Sequence, residues 1–282
     1  MKKKAIPALS LILAALLLSG CATTVPTASS VPASSAEPIS FSSALASSPA
    51  LTSSLSGLSS AAQEYYKAVD LDATGDTLRL NLATFLNAKA FSIPSYGALA
   101  TTLPLSDQDL TNANNFISYY SGKPIPKGTP RGSSAGQWNN EHVWPNSRGS
   151  GKDGPGADPH MLRPTWADSN SVRGNKFYGL STETNCYDPA SEGVERYRGD
   201  AARIIFYTAT RYWKLNGLEL SDKAADDTSL NTMGRKSDLL SWNTSYAPSE
   251  QEKYRNEYLF KNYNVRNPFI DFPSLATSIW GS

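Results

Sequence analysis

Apolar residues recur at helical spacing in three separate parts of the chain. Residues 61–92 fit two short helices that are interrupted at residues 73–75, where the sequence reads Ala-Thr-Gly. Gly199–Leu215 has the apolar spacing of a helix in a protein core, and residues 249–262 fit a further helix. These three regions together predict four helices.

Two further segments lie between those regions. Residues 108–121 are predicted to form another helix, whereas Lys123–Gly136 is rich in Pro, Gly and Ser and is predicted to be loop. On the core helix, Arg203 and Arg211 are expected to be charges on the helix surface rather than contacts to a substrate.

The middle of the chain predicts a strand, a loop, a strand and a helix in that order. Gln137–Trp144 fits a short strand that Pro145 stops, and Asn146–Gly156 is a glycine-rich loop. His160–Thr165 fits a second short strand. A helix is then predicted from Asp168, a suitable N-cap residue, to about Phe177.

The first 20 residues are organised like an export signal. Lysines at positions 2–4 precede an apolar run, Ala5–Leu18, that is too short to span a bilayer comfortably. The run ends in Leu-Ser-Gly-Cys at 18–21, which resembles the lipobox of bacterial lipoproteins. We expect cleavage before Cys21 and a lipid on its thiol, giving an extracytoplasmic protein anchored to a membrane. The alternative is an ordinary signal peptide that contains a cysteine.

The segment after Cys21 is of low complexity. From Ala22 to about Ser60 it consists almost entirely of Ser, Ala, Thr, Pro and Leu, and Glu37 is its only charged residue. Such a composition cannot bury enough apolar surface to offset the entropy of ordering. We therefore expect residues 21–60 to be a disordered tether and residues 61–282 to form one folded domain.

Composition and cysteine usage limit the class of protein. Hydrophobic residues make up 40% of the chain and charged residues 18%, which is typical of a globular protein. Of the two cysteines, a lipidated Cys21 would leave only Cys186, so no intrachain disulfide is expected. Cys186 is predicted to act as a small buried hydrophobic residue rather than as a catalytic thiol.

Net charge gives little support for binding to nucleic acid. The chain has 26 basic and 25 acidic residues, and removal of the three lysines at positions 2–4 leaves 23 basic against 25 acidic. Residues 121–214 carry a modest local excess of 13 basic over 9 acidic residues. The basic excess coincides with the predicted strand–loop–strand–helix unit, although such an excess is often only a solvated face.

Both histidines of the chain, His142 and His160, lie in one stretch, Trp138–Asn175. Histidine has an unperturbed pKa near neutrality, so it is a suitable general base. Glu141 precedes His142 directly, and neighbours in a regular strand point to opposite faces. Both can serve one site only if the backbone bends or ends there, as Pro145 suggests.

The residue types in this stretch suit hydrolysis of a phosphodiester bond. His142 is the predicted base. A hard divalent cation would draw charge from the scissile phosphate, and Mg²⁺ needs few protein oxygens because it keeps several waters. Glu141 and Asn170 are the predicted ligands. Arg173, on the same helical face as Asn170, or Arg148 is the candidate to hold the product phosphate.

Five motifs, in this order and spacing, resemble those of the bacterial endonuclease I family. The resemblance runs from about Tyr65 to the C-terminus. The motifs are N-N-E-H-V-W-P at 139–145, D-P-H-M-L-R-P at 158–164, N-S-V-R-G-N at 170–175, R-G-D-A-A-R-I-I-F-Y at 198–207 and R-N-P-F-I-D-F-P at 266–273.

The resemblance implies an α+β fold, a mainly helical domain around a small ββα-metal (His-Me finger) core. It also implies a monomeric endonuclease that cleaves DNA, and often RNA, with little sequence preference and leaves 5′-phosphate ends. One divalent metal is expected, with Mg²⁺ first and Mn²⁺ or Ca²⁺ as alternatives. The expected partners are the nucleic acid and, through the lipid on Cys21, a membrane; no protein partner is implied.

The resemblance assigns site residues position by position. His142 matches the general base of the family, and Glu141 and Asn170 match its metal ligands. His160, Arg173 and Asn175 match further motif positions and, together with Arg148, are the candidates for contact with the substrate or its phosphate. For His160, a structural role bridging the two strands is the favoured alternative. The sequence departs from the family at Met161, where asparagine is common, and in lacking the disulfides of some members.

Three other functions compete with this interpretation. The G-x-S-x-G pattern at 132–136 would make Ser134 the nucleophile of a serine hydrolase, but no hydrophobic strand is predicted before it. A zinc peptidase would need closely spaced histidines, and the two here are 18 residues apart. The third alternative is a lipoprotein without catalytic activity that binds a polymer through its aromatic residues.

Overall fold

A computed structural model describes residues 55–88, 92–180, 182–223 and 230–281 of the chain. All of them belong to the second of two units, residues 46–282. The predicted export signal, Cys21 and most of the tether lie outside the described residues. Among the described residues, none belongs to a helix with the length and apolar character needed to cross a membrane.

The domain begins with the two predicted short helices. Helix α1 (Ser60–Tyr66) starts where the Ser59 side chain accepts a hydrogen bond from the backbone of the first turn. Helix α2 (Gly75–Ala88) follows, so the interruption around residues 73–75 is confirmed. A third helix, α3 (Leu99–Ser106), was not predicted from the sequence.

The predicted helix at 108–121 is wrong. This part of the chain turns and then forms strand β1 (Asn115–Ile117), which pairs antiparallel with β2 (Pro124–Pro126) in the segment predicted to be loop. The Asp109 side chain accepts hydrogen bonds from the backbone of Thr111 and Asn112. Such local side-chain bonds satisfy donors that a helix would otherwise use, and they favour a turn.

The central strand–loop–strand–helix order is confirmed. Strand β3 (Trp138–His142) pairs antiparallel with β4 (Leu162–Trp166), and helix α4 (Ala167–Arg173) follows β4 directly. The helix is shorter than predicted because it ends at Gly174, whose φ of +57° favours glycine. Its N-cap position is occupied by Trp166 and not by Asp168.

The second half of the domain is mostly helical and surrounds α5 (Tyr197–Arg211), which coincides with the predicted core helix. Two small parallel pairs of strands join it. The remaining elements are β5 (Phe177–Tyr178) with β6 (Cys186–Tyr187), α6 (Trp213–Asn216), β7 (Glu219–Leu220) with β8 (Thr232–Met233), α7 (Lys236–Ser245), α8 (Glu250–Tyr263), α9 (Pro268–Asp271) and α10 (Ser274–Trp280). The mixture of helices with small sheets agrees with the α+β class.

Two hydrophobic clusters form the core. The larger one surrounds α5 and includes Cys186, whose thiol is buried and free, as predicted. The smaller cluster lies between α3 and the strands β1 to β4, and it includes Leu103, Phe116, Trp138 and Leu162. The catalytic candidates on β3 therefore stand on a strand that is anchored by its own apolar cluster.

Arg203 and Arg211 are not surface charges as predicted. Because α5 is covered by other elements, both guanidinium groups are buried and paired. Arg203 Nε donates to Glu252 at 2.6 Å, and Arg211 lies 3.2 Å from Asp158. Burial of an arginine requires such partners, which the spacing of apolar residues does not reveal.

Strand β4 is fixed in place by buried ion pairs. Arg163 Nε on β4 lies 2.7 Å from Asp107 Oδ1 in an ion pair, and Arg255 on α8 approaches the same carboxylate at 3.1 Å. Arg255 also donates to the backbone carbonyl of Leu162, the first residue of β4. These contacts join α3, β4 and α8, and so they hold the β3–β4–α4 unit against the helical part of the domain.

Candidate active site

A polar pocket of about 260 Å³ opens where β3 ends and α4 packs beside it. Five of the residues singled out from the sequence line this pocket: Glu141, His142, Asn170, Arg173 and Asn175. Glu141 and His142 are adjacent in sequence, and both reach the pocket because β3 ends at His142. The strand therefore ends two residues before Trp144, where the sequence had predicted its end.

The Glu141 carboxylate is buried and bonded. The Tyr120 hydroxyl donates to Oε1 at 2.6 Å, and Arg173 Nε lies 3.3 Å from the same oxygen. The Tyr178 hydroxyl lies 2.6 Å from that of Tyr120 and also bonds to the Glu141 carboxylate. Burial raises the pKa of Glu141, while Arg173 and the Tyr120 hydroxyl oppose the rise.

Tyr120 reaches this position through an unusual backbone. Its φ of +68° lies in the left-handed region that a bulky residue rarely adopts. Strain of this kind persists only where the surrounding structure imposes it, and it is concentrated at functional sites. Here it accompanies the hydroxyl that holds the carboxylate of Glu141.

His142 is oriented by contacts on two sides. Its Nε2 lies 3.0 Å from the carbonyl oxygen of Gly156. A carbonyl only accepts, so Nε2 carries the proton and Nδ1 presents a lone pair. The ring of Tyr96 stacks on the imidazole at a centroid distance of 5.7 Å and an angle of 9°. Burial lowers the pKa of His142 to about 4, so the imidazole is neutral at neutral pH.

The side-chain amide of Asn170 is fixed by the strand beside it. Its Nδ2 donates to Asn139 Oδ1 at 2.7 Å and to the carbonyl of Asn140 at 3.3 Å. Because these bonds use the nitrogen, Oδ1 of Asn170 keeps its capacity to accept or to ligate.

The oxygens of Glu141 and Asn170 fit a hard divalent cation. The contacts from Tyr120 and Arg173 both use Oε1 of Glu141, and neither uses Oε2. In the described ranges, no group of three or more His, Cys, Asp or Glu residues is placed to hold a metal. One carboxylate and one amide oxygen suit Mg²⁺, which retains several waters, and they do not suit zinc.

Arg173 is directed inward. It is 1% exposed, and its guanidinium donates to the carbonyls of Val143 at 2.7 Å and Gly174 at 2.8 Å, besides contacting Glu141. Arg173 therefore orients the Glu141 carboxylate from its buried side. Asn175 is exposed at the mouth of the pocket.

Arg148 and His160 are not brought to the pocket. Arg148 is buried, donates from Nε to the carbonyl of Asn175 at 2.8 Å and packs over Phe177. His160 is 1% exposed, and its Nε2 lies 2.8 Å from the carbonyl of Val265. Burial lowers the pKa of His160 to about 4. In both cases burial replaces the expected phosphate contact with bonds to the protein backbone.

The serine hydrolase alternative fails on geometry. Ser134 is exposed in a bend, with no strand before it and no helix after it. Its backbone nitrogen is held by the Gln137 side chain. A nucleophile elbow requires a strand-to-helix turn, which this segment does not form.

Sequence reasoning missed several residues of the site. Tyr96, Asn140 and Asn146 line the pocket, and Tyr120 and Tyr178 hold the carboxylate of Glu141. Asn140 and Asn146 lie within or next to the motif at 139–145, so position was an available signal. The three tyrosines lie outside the motifs quoted for the site, and nothing in the spacing of residues pointed to them.

Known proteins resemble this chain over most of its length. The model of the family described as Endonuclease I matches residues 74–274. The extracellular ribonuclease of Bacillus subtilis (strain 168) is 38% identical over 229 residues, which cover 77% of this chain and 78% of the relative. The extracellular ribonuclease of Bacillus amyloliquefaciens is 37% identical over 235 residues, covering 79% and 80%. The chain therefore belongs to the endonuclease I family, and it is a nuclease that hydrolyses phosphodiester bonds.

Proposed function

We propose that this protein is an extracytoplasmic, metal-dependent endonuclease that cleaves RNA and DNA with little sequence preference. The observation that carries the proposal is that Glu141, His142 and Asn170 line one polar pocket. The pocket thus combines a neutral imidazole with two oxygen ligands of the kind that a hard cation prefers.

His142 is the proposed general base. Its Nε2–H donates to the Gly156 carbonyl, so the Nδ1 lone pair is available to take a proton from a water molecule. The stacked ring of Tyr96 limits rotation of the imidazole and shields it from bulk water. The low pKa of His142, about 4, keeps the base deprotonated at neutral pH.

Glu141 and Asn170 are the proposed ligands of one divalent cation, Mg²⁺ first and Mn²⁺ or Ca²⁺ as alternatives. When bound, the cation would withdraw charge from the scissile phosphate and from the leaving oxygen. Tyr120 and Arg173 keep the Glu141 carboxylate in one orientation, and the bonds of Asn170 to β3 keep its Oδ1 directed away from the strand. Asn175 at the mouth is the proposed contact to the substrate.

RNA as a substrate is supported by the two Bacillus relatives, both named extracellular ribonucleases. DNA as a substrate is supported by the motifs shared with the endonuclease I family. Incubation of the chain with end-labelled RNA and with supercoiled plasmid separates the two substrates. The ends of the products should carry 5′-phosphates, which a ligase can join without prior treatment by a kinase.

The first test is a plasmid and RNA cleavage assay of the full chain with Mg²⁺, with EDTA, and with single variants. His142→Ala should lose at least about 100-fold in rate while it still binds the cation, because only the base is removed. Ser134→Ala is the matched control and should cleave at the wild-type rate. Cleavage that survives EDTA, or an active His142→Ala variant, would contradict the proposal.

The metal ligands are tested by titration of the cation. Asn170→Ala should lower the rate and raise the Mg²⁺ concentration required for half-maximal activity, because one of two protein oxygens is lost. An unchanged titration would remove Asn170 from the ligand set.

We also propose that a lipid on Cys21 anchors the enzyme to a membrane. The lipobox-like Leu-Ser-Gly-Cys at 18–21 supports it. Cys21→Ser should move the activity from the membrane fraction of expressing cells to another fraction, whereas an ordinary signal peptide would leave the distribution unchanged.

A further inference from the structure

Arg131 carries a charge that no carboxylate of the described residues neutralises. All twelve arginines of the chain lie in the described ranges. Eight of them are buried, and three others form ion pairs with carboxylates: Arg196, Arg198 and Arg235. Arg131 is the remaining one. It is half-buried, and its guanidinium forms neither an ion pair nor a hydrogen bond with the residues that the structure describes.

The backbone holds Arg131 beside the start of β3. Arg131 forms a parallel bridge with Trp138, the first residue of that strand. The backbone N–H of Gly132 donates to the carbonyl of Trp138, and the N–H of Trp138 donates to the carbonyl of Pro130. The segment that carries Arg131 is therefore attached to the same strand as the proposed base and metal ligand.

The side chain of Arg131 reaches the aromatic ring that borders His142. Its guanidinium carbon lies over the ring of Tyr96, at 5.4 Å from the centroid. Tyr96 lines the pocket and stacks on the imidazole of His142, with 5.7 Å between the two centroids. The guanidinium carbon can therefore be no farther from the imidazole centroid than these two distances together.

The contact with Tyr96 leaves the donors of Arg131 available. A cation–π contact is an attraction between the charge and the face of the ring, and it uses no hydrogen bond. A guanidinium has five N–H donors in one plane, and they match two oxygens of a phosphate. The group is thus held near the pocket by its charge while its donors can bind a ligand.

Arg131 lies just outside the pocket, because it is not among the residues that line it. The cleaved phosphate belongs inside, beside His142 and the proposed metal ligands. Phosphates recur about every 3.4 Å of rise along one strand of nucleic acid. A strand whose cleaved bond lies at His142 therefore brings a neighbouring phosphate to the distance at which Arg131 stands.

We propose that Arg131 binds a phosphate next to the cleaved one on the same strand, and that Tyr96 keeps its guanidinium in place. Two N–H groups of Arg131 donate to two non-bridging oxygens of that phosphate. Arg131 is thus a substrate-binding residue and takes no part in proton transfer. The inference rests on the proposed function, because it requires the pocket to hold the cleaved bond.

The test measures how the full chain binds a fluorescent single-stranded DNA oligonucleotide in EDTA, over a range of sodium chloride concentrations. Arg131→Gln should raise Kd by about tenfold at low salt, because a charged hydrogen-bonded contact is lost. The slope of log Kd against log salt concentration should fall by about 0.7, the value for one phosphate contact on a single strand. Arg131→Lys should keep the slope but lose part of the affinity, because an ammonium is a point charge without the paired donors.

Lys253→Gln is the matched control. It also removes one positive charge, from an exposed side chain on α8 that pairs with Glu250 and does not line the pocket. Its Kd and slope should stay close to those of the wild type. Tyr96→Leu should weaken binding less in the Arg131→Gln background than in the wild type, because Tyr96 acts on this phosphate through Arg131.

Cleavage kinetics with Mg²⁺ give a second readout. Arg131→Gln should raise KM by about tenfold and leave kcat within about twofold, because the contact is equally strong in the ground state and the transition state. Thermal unfolding shows whether each variant keeps its fold. Arg131→Met, which has a long unbranched side chain, repeats the measurements if Arg131→Gln is unstable.

Three results would overturn the inference. They are an unchanged slope in the neutral variants of Arg131, an equal fall of the slope in Arg131→Lys, and an equal fall in Lys253→Gln, which would make net charge the cause. Failure of the proposed function is recognised separately, because the oligonucleotide would then be cleaved in EDTA or His142→Ala would remain active.

Discussion

At the scale of single residues, the hydroxyl of Tyr120 should orient the Glu141 carboxylate, and this effect can be tested. It donates to the carboxylate of Glu141 and is itself bonded to Tyr178, so the carboxylate reaches the pocket with one oxygen already held. Groups that orient a ligand in this way commonly change metal affinity by 10- to 100-fold, to order of magnitude, when they are removed.

We expect Tyr120→Phe to raise the Mg²⁺ concentration for half-maximal cleavage by about tenfold, with a smaller loss of rate at saturating Mg²⁺. Tyr119→Phe is the matched control, because the neighbouring Tyr119 hydroxyl is buried without a partner among the described residues. Titration of cleavage rate against Mg²⁺ checks both variants. Equal midpoints for the two variants would mean that the Tyr120 bond does not position Glu141.

The residues of the site differ in how far the sequence predicted them. Glu141, His142 and Asn170 were identified from residue type, spacing and family motifs, and the structure brings them together. Arg148 and His160 share those motifs or lie beside them but are buried away from the pocket. A motif preserves residues that support a site as well as residues that line it, and sequence alone does not separate the two.

Tyr96 and Tyr120 illustrate the opposite case. Tyr96 reaches His142 from a loop 46 positions earlier, and Tyr120 reaches Glu141 from 21 positions earlier. Aromatic residues at such separations are indistinguishable from core residues until the fold is known. Their contribution follows from packing, and it has no local pattern.

At the scale of elements, the short 3₁₀ turn Gly154–Ala157 carries the carbonyl that orients His142. Gly156 lies so close to the backbone of Gly151 that a Cβ at this position would be 1.8 Å from its carbonyl oxygen. Because glycine has no side chain, the two backbone segments can come this close together. Their close approach fixes the position of the Gly156 carbonyl.

We expect Gly156→Ala to lower the cleavage rate by at least about tenfold, because the two backbone segments must separate and the carbonyl must move. Gly154→Asn is the control, since its φ of +60° is tolerated by asparagine and a Cβ there meets nothing within 4 Å. Cleavage rates and thermal unfolding should be measured together. Wild-type cleavage by Gly156→Ala would show that the turn does not orient the base.

The elements that the sequence predicted well have strong periodicity. Helices α2 and α5 each bury apolar residues at helical spacing, and both were found. Helix α8 was also found, although most of the residues that it buries are polar or charged. The failure at 108–121 arose where Asp109 and Asn112 bond to the nearby backbone, which favours turns over a helix. Strands of two or three residues, such as β5, carry too little pattern to be predicted.

At the scale of the whole molecule, Glu252 links two helices. It forms the capping box of α8 with Ser249, and it accepts two hydrogen bonds from Arg203 on α5 at 2.6 and 2.7 Å. Burial alone would raise the pKa of Glu252, but the neighbouring Asp200 and the charge and hydrogen bonds of Arg203 outweigh burial and lower it to about 2. The carboxylate is therefore charged over the whole physiological range.

A lowered pKa in the folded state gives stability that is complete above the unfolded pKa of about 4.3 and is lost as the pH falls through about 2. We expect Glu252→Gln to lower the free energy of unfolding at pH 7 by about 3 kcal/mol, because Arg203 is left without its charged partner. The variant should also lose less stability between pH 4.5 and pH 2 than the wild type.

Denaturant unfolding at pH 7 and at pH 3 checks this prediction. Glu250→Gln is the control, because Glu250 lies in the same first turn but is exposed and, among the described residues, pairs with Lys253 alone. Its free energy of unfolding should change by less than about 0.5 kcal/mol. An equal effect of both substitutions would mean that the link from α8 to α5 adds no stability.

The buried arginines also bear on how the enzyme holds a nucleic acid. Eight arginines are buried in the described part of the chain, out of 26 basic residues in the full sequence. Charges that are neutralised inside the protein displace no counterions from a polyanion, so few phosphates should be contacted at once. Affinity for RNA or DNA should therefore decline only gently as sodium chloride is added. We therefore expect the enzyme to contact its substrate mainly around the cleaved bond and to retain its affinity at high salt concentrations.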